Sequence, residues 1–127
     1  MKRENVIREI QDFLNQRQLA DPTLEVQLEI EEAPLDWIEP TEVSENLPLV
    51  RALADASREV LGFCPPSGIY PAATDAPKFQ IGAGIPTVPA FGAGMISVAH
   101  GPNEWVGVES IVQACKIYAL AGYEILK

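Results

Sequence analysis

The chain carries a single histidine, His100, in the run Ala99-His100-Gly101-Pro102-Asn103-Glu104. A neutral imidazole is a good metal ligand and a proton carrier near neutral pH. It is still one donor where a dedicated metal site needs three or four, so a surface or hydrogen-bonded structural role competes with the ligand reading. A loop rich in Gly and Pro favours chemistry, because sites concentrate on loops held by rigid elements. Glu104 precedes a helix-patterned stretch, where an acid is favoured by the backbone dipole. Thr74 and Asp75 suit the N-cap of a short helical turn over 76–79. Gly92-Ala93-Gly94 reads as a turn whose backbone can approach another molecule closely. The two cysteines, Cys64 and Cys115, lie far apart with no C-x-x-C spacing, which argues against a disulfide scaffold or a thiolate zinc site. A cysteine hydrolase pairing either thiol with His100 is a poor reading. Cys115 falls in an apolar stripe and Cys64 precedes Pro65-Pro66, so neither has an electropositive, exposed setting, and both are expected as small buried apolar groups.

These residues need elements to hold them. Val6, Ile7, Ile10, Phe13 and Leu14 recur at helical spacing opposite Arg8, Glu9, Asp12 and Arg17, which predicts an amphipathic helix ended by Asp21-Pro22. Leu24, Val26, Leu28 and Ile30 then alternate with Glu25, Gln27, Glu29 and Glu31, the period of a half-exposed strand. Residues 32–48, rich in Pro and acid and without a period, read as a connection between two bodies. A second helix is expected at about 49–61, with Leu49, Val50, Leu53, Val60 and Leu61 inward and Gly62 as its stop. The apolar pieces 68–73 and 85–91 suit buried strands of a mixed sheet. A last helix at about 108–126, with Ile111, Val112, Cys115, Tyr118, Ala119 and Ile125 as its stripe, is expected to pack on that sheet. There is no internal repeat.

Bulk properties narrow the function. A net charge of -9 disfavours nucleic acid as a partner, because affinity for phosphate backbones comes from Lys and Arg clusters. No apolar run reaches the roughly 18–20 residues that cross a bilayer, and the charged start lacks a signal-peptide core, so a cytoplasmic protein without membrane attachment is expected. Acid is dense from Glu4 to Glu59, but beyond Cys64 only Asp75, Glu104, Glu109 and Glu124 remain, which suggests two structural environments.

In order along the chain, Thr74-Asp75-Ala76, Gly84-Ile85-Pro86-Thr87-Val88, Phe91-Gly92-Ala93-Gly94 and Ala99-His100-Gly101-Pro102-Asn103-Glu104 resemble the C-terminal pattern of the acetylornithine deacetylase and succinyl-diaminopimelate desuccinylase family. That family also includes aminoacylase, carboxypeptidase G and dipeptidases. The resemblance implies an α/β architecture. Residues 1–32 would be the end of a ferredoxin-like α+β lid and dimerisation domain, 33–47 a linker, and 48–127 the C-terminal part of a zinc-peptidase-like catalytic domain, a mixed sheet with helices. It makes His100 a metal ligand of a centre of two zinc or cobalt ions. Glu104 would be a carboxylate standing behind that ligand, or simply the helix N-terminal acid. Thr74 and Asp75 would line the substrate pocket, where a hydroxyl and backbone N–H groups bind a carboxylate. Gly92, Ala93 and Gly94 would be the loop whose bare backbone approaches the substrate.

Members of that family also use an upstream His-x-Asp, a Glu-Glu pair whose first member is the general base, and a further acidic ligand. This chain has no second histidine, and its Glu31-Glu32 pair ends a strand of lid type. One ligand cannot hold two metal ions, and without the base a bound water is not activated. The expectation is therefore a C-terminal fragment of a metal-dependent amidohydrolase acting on N-acyl amino acids or small peptides, inactive alone and contributing no catalytic residue of its own. The rival is a non-catalytic module that dimerises or complements a partner chain. Three helices and a few strands are a thin set for a closed core, so a homodimer or a partner chain is expected.

Overall fold

The computed structural model describes residues 2–30 and 37–127. Met1 and residues 31–36 lie outside it, and with them the Glu31-Glu32 pair and the start of the linker expected at 33–47. Two compact units are present, Met1–Pro40 and Thr41–Lys127, and each is described by itself.

In the first unit, helix α1 (Arg3–Ala20) forms where the apolar spacing predicts it, with Glu4 in its first turn and Arg17 in its last, both favourable to the helix dipole. No residue of α1 is buried; Ile10 is 43% and Phe13 53% exposed. The Arg17 guanidinium lies 5.0 Å from the Phe13 ring centroid and covers part of it. The helix stops at Asp21, whose carboxylate accepts from the Thr23 hydroxyl at 2.6 Å and the Thr23 N–H at 3.0 Å. The hydroxyl bond, then the N–H bond, hold the Asp21 carboxyl below its ordinary range. The chain then returns toward α1, and the Gln18 side-chain amide donates to the Val26 carbonyl at 3.0 Å. Val26 and Leu28 become half-buried while Leu24 and Ile30 stay exposed.

The second unit is built on two helices, α2 (Pro48–Leu61) and α3 (Val108–Leu126). Pro48 opens α2, where a fixed φ and a missing N–H cost nothing. Gly62 closes it at φ 80°, the left-handed conformation that glycine adopts without penalty, its N–H bonding back to the Arg58 carbonyl. The two helices pack on each other through Ala52, Leu53 and Ala56 from α2 and Ile117 and Ala121 from α3. Ser57 is fully buried beside them and donates its hydroxyl to the Leu53 carbonyl at 2.7 Å. Leu49, Val60, Leu61, Val88, Phe91 and Leu120 close the rim of this core. Ala76 and Pro77 lead into a single π turn, Lys78–Gly82, which is tied to the chain on both sides. Phe79 accepts from the N–H groups of Ala83 and Ile85, and the Gln80 amide reaches the Glu42 carbonyl at 2.9 Å.

The expected mixed sheet is not formed. Among the described residues there is no strand, and no backbone hydrogen bond joins 68–73 to 85–91. A strand exists only as part of a ladder, and an apolar alternation without a neighbouring edge cannot make one. The cost shows in exposure: Ile69 is 96% and Ile85 52% exposed, where buried strands were expected. Helix α3 therefore packs on α2 and not on a sheet. Its buried face also differs from the predicted stripe. Ala114, Ile117 and Ala121 are buried, whereas Ile111, Val112, Cys115, Tyr118 and Ala119 are exposed. Apolar residues surround most of α3, and the small ones allow the closest approach to Ala52 and Ala56. Cys115 is thus exposed and Cys64 half-buried, not the two buried groups expected.

Candidate functional site

His100 sits at the end of tight turns, after the Val98 N–H bonds to Met95 and the Ala99 N–H to Ile96. Its φ is 59°, and Asn103 follows at 66°, so two non-glycine residues of one loop occupy the left-handed region. Asn and His tolerate that region better than most residues, but at a cost. Glu104 accounts for part of how the loop holds. Its carboxylate accepts the His100 backbone N–H at 3.1 Å, reaching back across the bend. A bond to a charged acceptor is the stronger kind of hydrogen bond. Glu104 thus acts on the histidine's backbone and leaves the exposed imidazole free.

Gly92, Ala93, Gly94 and Glu104 line one open groove of about 1250 Å³ on the second unit. Its walls are otherwise largely apolar, with Leu49 and Leu53 from α2, Ile111, Tyr118 and Ile125 from α3, and Trp105 from the loop between. Ile111, Tyr118 and Ile125 are seven residues apart in turn, which keeps them on one helix face. That face neighbours the buried face of Ala114, Ile117 and Ala121.

Thr74, Asp75 and His100 are not among the groove-lining residues. The Thr74 hydroxyl accepts the Ala76 N–H at 3.2 Å, and the Asp75 carboxylate pairs with Lys78 at 2.8 Å. Both side chains thus start the short helical turn that leads into the π turn. The hydrogen bond from Lys78, then its charge, hold the Asp75 carboxyl below its ordinary range; the same contacts raise Lys78.

Tyr118 was expected only as part of an apolar stripe. Its ring meets Phe91 edge to face at 5.8 Å between centroids, and its hydroxyl donates to the Phe91 carbonyl. The sequence signal that could have marked it is a polar tip inside an otherwise apolar helix stripe, since such a hydroxyl looks for an acceptor.

Among the described residues, no three His, Cys, Asp or Glu side chains gather as metal ligands do. One imidazole suits a metal as a donor, and among the described residues no second donor gathers with it into such a group. No helix among the described residues is long and apolar enough to cross a membrane.

Comparison with curated proteins and with solved structures gives no match. The profile of peptidase family M20/M25/M40 matches residues 8–123, a span that includes the glycine loop, the His100 bend and every groove-lining residue except Ile125. Members of that family are hydrolases, typically dependent on metal ions. A match over nearly the whole chain places it: the chain belongs to peptidase family M20/M25/M40.

Proposed function

We propose that the chain contributes to metal-dependent hydrolysis of the amide bond in N-acyl amino acids or small peptides, in the manner of the acetylornithine deacetylase group. In this reading His100 is one metal ligand, and the metal ions, zinc or cobalt, would polarise the amide carbonyl once the remaining ligands are supplied. Glu104 fixes the backbone from which the imidazole projects. The 92–94 loop offers bare backbone to the substrate, and Thr74 and Asp75 are the further substrate-binding residues of this reading. Residues 1–32 correspond to the end of a lid, 33–47 to a linker and 48–127 to the catalytic portion. The observation that carries the reading is the family match across 8–123 with its single histidine held on a bend by Glu104.

In this reading hydrolysis needs groups from another chain, because His100 is the one histidine here and the family's His-x-Asp ligands have no counterpart in the sequence. Purified chain with added zinc or cobalt should not turn over N-acetylated amino acids. Mixed with a polypeptide carrying the family's His-x-Asp and Glu-Glu residues, it should do so, and His100→Ala should abolish the gain. Metal-dependent turnover by the chain alone would overturn the dependence on a partner. Undiminished turnover by the His100→Ala mixture would overturn the ligand role.

A second reading, a non-catalytic module that dimerises or complements a partner chain, is favoured by the exposed apolar wall of the groove. Trp105 is 58%, Tyr118 49% and Ile125 48% exposed, and exposed apolar patches mark association sites. Sedimentation at micromolar concentration tests the dimerising form of this reading, since a stable monomer argues against self-association.

A further inference from the structure

Gly92 has φ +145°, a conformation that L side chains rarely adopt. A Cβ built there would stand 2.8 Å from the Tyr118 hydroxyl oxygen, closer than real Cβ contacts come. The position is therefore closed to other residues twice, by its backbone and by its neighbour. The neighbour is itself fixed, because the same hydroxyl donates to the carbonyl of Phe91, the residue before Gly92, and the two rings meet edge to face. Tyr118 is anchored on α3 one residue from buried Ile117, on the helix that packs against α2. Helix α3 thus holds, by one phenol, the peptide group from which the 92–94 loop departs.

We propose that Tyr118 is the positioning residue of the glycine loop: its hydroxyl fills the place of a side chain at position 92 and sets the direction in which the Gly92, Ala93 and Gly94 backbone faces the groove. The pin follows from these contacts alone. What the pin serves, presentation of the loop to a substrate carboxylate, rests on the function proposed above.

The test is Tyr118→Phe in the full chain labelled with ¹³C and ¹⁵N. Phenylalanine keeps the ring against Phe91 and removes only the hydroxyl. The Phe91 carbonyl resonance should move upfield on losing its donor, and the Gly92, Ala93 and Gly94 amides should shift more than other groove amides at unchanged helical circular dichroism. Unmoved Phe91 and loop resonances would overturn the proposal. Gly92→Ala probes the contact from the other side. It should abolish the carbonyl signature, and adding Tyr118→Phe should then cost less than it does alone, because the next atom near that Cβ, the Tyr118 ring carbon Cζ, is 3.9 Å away. Strictly additive effects would count against a direct contact. Titration with N-acetylglycine addresses the loop's purpose. It should shift the loop amides of the unaltered chain, and the Tyr118→Phe chain should bind roughly fivefold more weakly, the factor that corresponds to the net worth of one hydrogen bond. If N-acetylglycine moves no loop amide in the unaltered chain, the substrate reading fails while the pin is still judged by the Phe91 carbonyl.

Discussion

Helix α1 has 18 residues and no buried side chain, whereas α2, with 14, buries four residues and α3, with 19, buries three. Helix α1 is the most polar of the three and less sharply amphipathic than α2, so part of the difference lies in the pattern itself. A matching surface supplies the rest. The Ala52, Leu53 and Ala56 face of α2 finds Ile117 and Ala121 within its own unit, while in the first unit, among the described residues, the Arg17 guanidinium lies over the Phe13 ring and Gln18 bonds to the return segment at Val26. An amphipathic stripe is thus an offer of burial that a second element must accept. Helices draw most of their stability from that acceptance and little from propensity.

The contrast yields measurable expectations. The largest effect should come from the seam. Leu53→Ala or Ile117→Ala removes one of the two long side chains among five core residues, and each should cost about 2–5 kcal/mol in urea unfolding followed by circular dichroism. Gly62→Ala, which forces a side chain into the left-handed stop of α2, should cost about 1 kcal/mol in the same measurement. Ile10→Ala and Phe13→Ala should stay within about 0.5 kcal/mol, as exposed substitutions do. If Phe13→Ala costs as much as Leu53→Ala, the α1 face is covered in solution. Amide hydrogen exchange sharpens the same contrast, with α1 expected to exchange much faster than the middle of α3.

The smallest effect is electrostatic. Asp75 is held below the ordinary carboxylate range by Lys78, so the pair contributes to stability above that range and the contribution is lost as pH falls through the lowered value. Both groups are exposed, so melting temperature near pH 7 should barely respond to Lys78→Met. A ¹³C titration of the Asp75 carboxyl should move up to the ordinary range in that variant, and an unchanged titration would show that the ion pair does not persist in solution.

The helices were legible in the sequence because their signals are local. Asp21-Pro22, Gly62 and the 3.6-residue spacing mark ends and faces within one turn of where they act. The strands were not, because 24–30, 68–73 and 85–91 carry strand patterning whose outcome depends on partners that no local signal specifies. The buried face of α3 was misread for a related reason. Where apolar residues run round a helix, the face is chosen by shape, and the alanines fit where Ile111 and Tyr118 do not. At the site, the bend residue His100 and the loop 92–94 could be singled out from residue type alone. The action of Glu104 on a backbone N–H and the grip of Tyr118 on Phe91 could not, since both are contacts between atoms that sequence spacing leaves unspecified.

The left-handed backbone of His100 and Asn103 has a consequence for how this protein tolerates change. A position whose conformation suits glycine better than the residue it holds is one where glycine should be accepted by the fold with little loss, and where any gain in the folded form is partly cancelled by the freedom glycine adds to the unfolded chain. Selection for thermostability and selection for chemistry would then pull position 100 in different directions. A library randomised there and sorted for stability alone should retain glycine and asparagine alongside histidine, whereas one sorted for turnover should return histidine if the proposed ligand role holds. The gap between those two outcomes would measure how far this bend is kept for its imidazole and not for its shape.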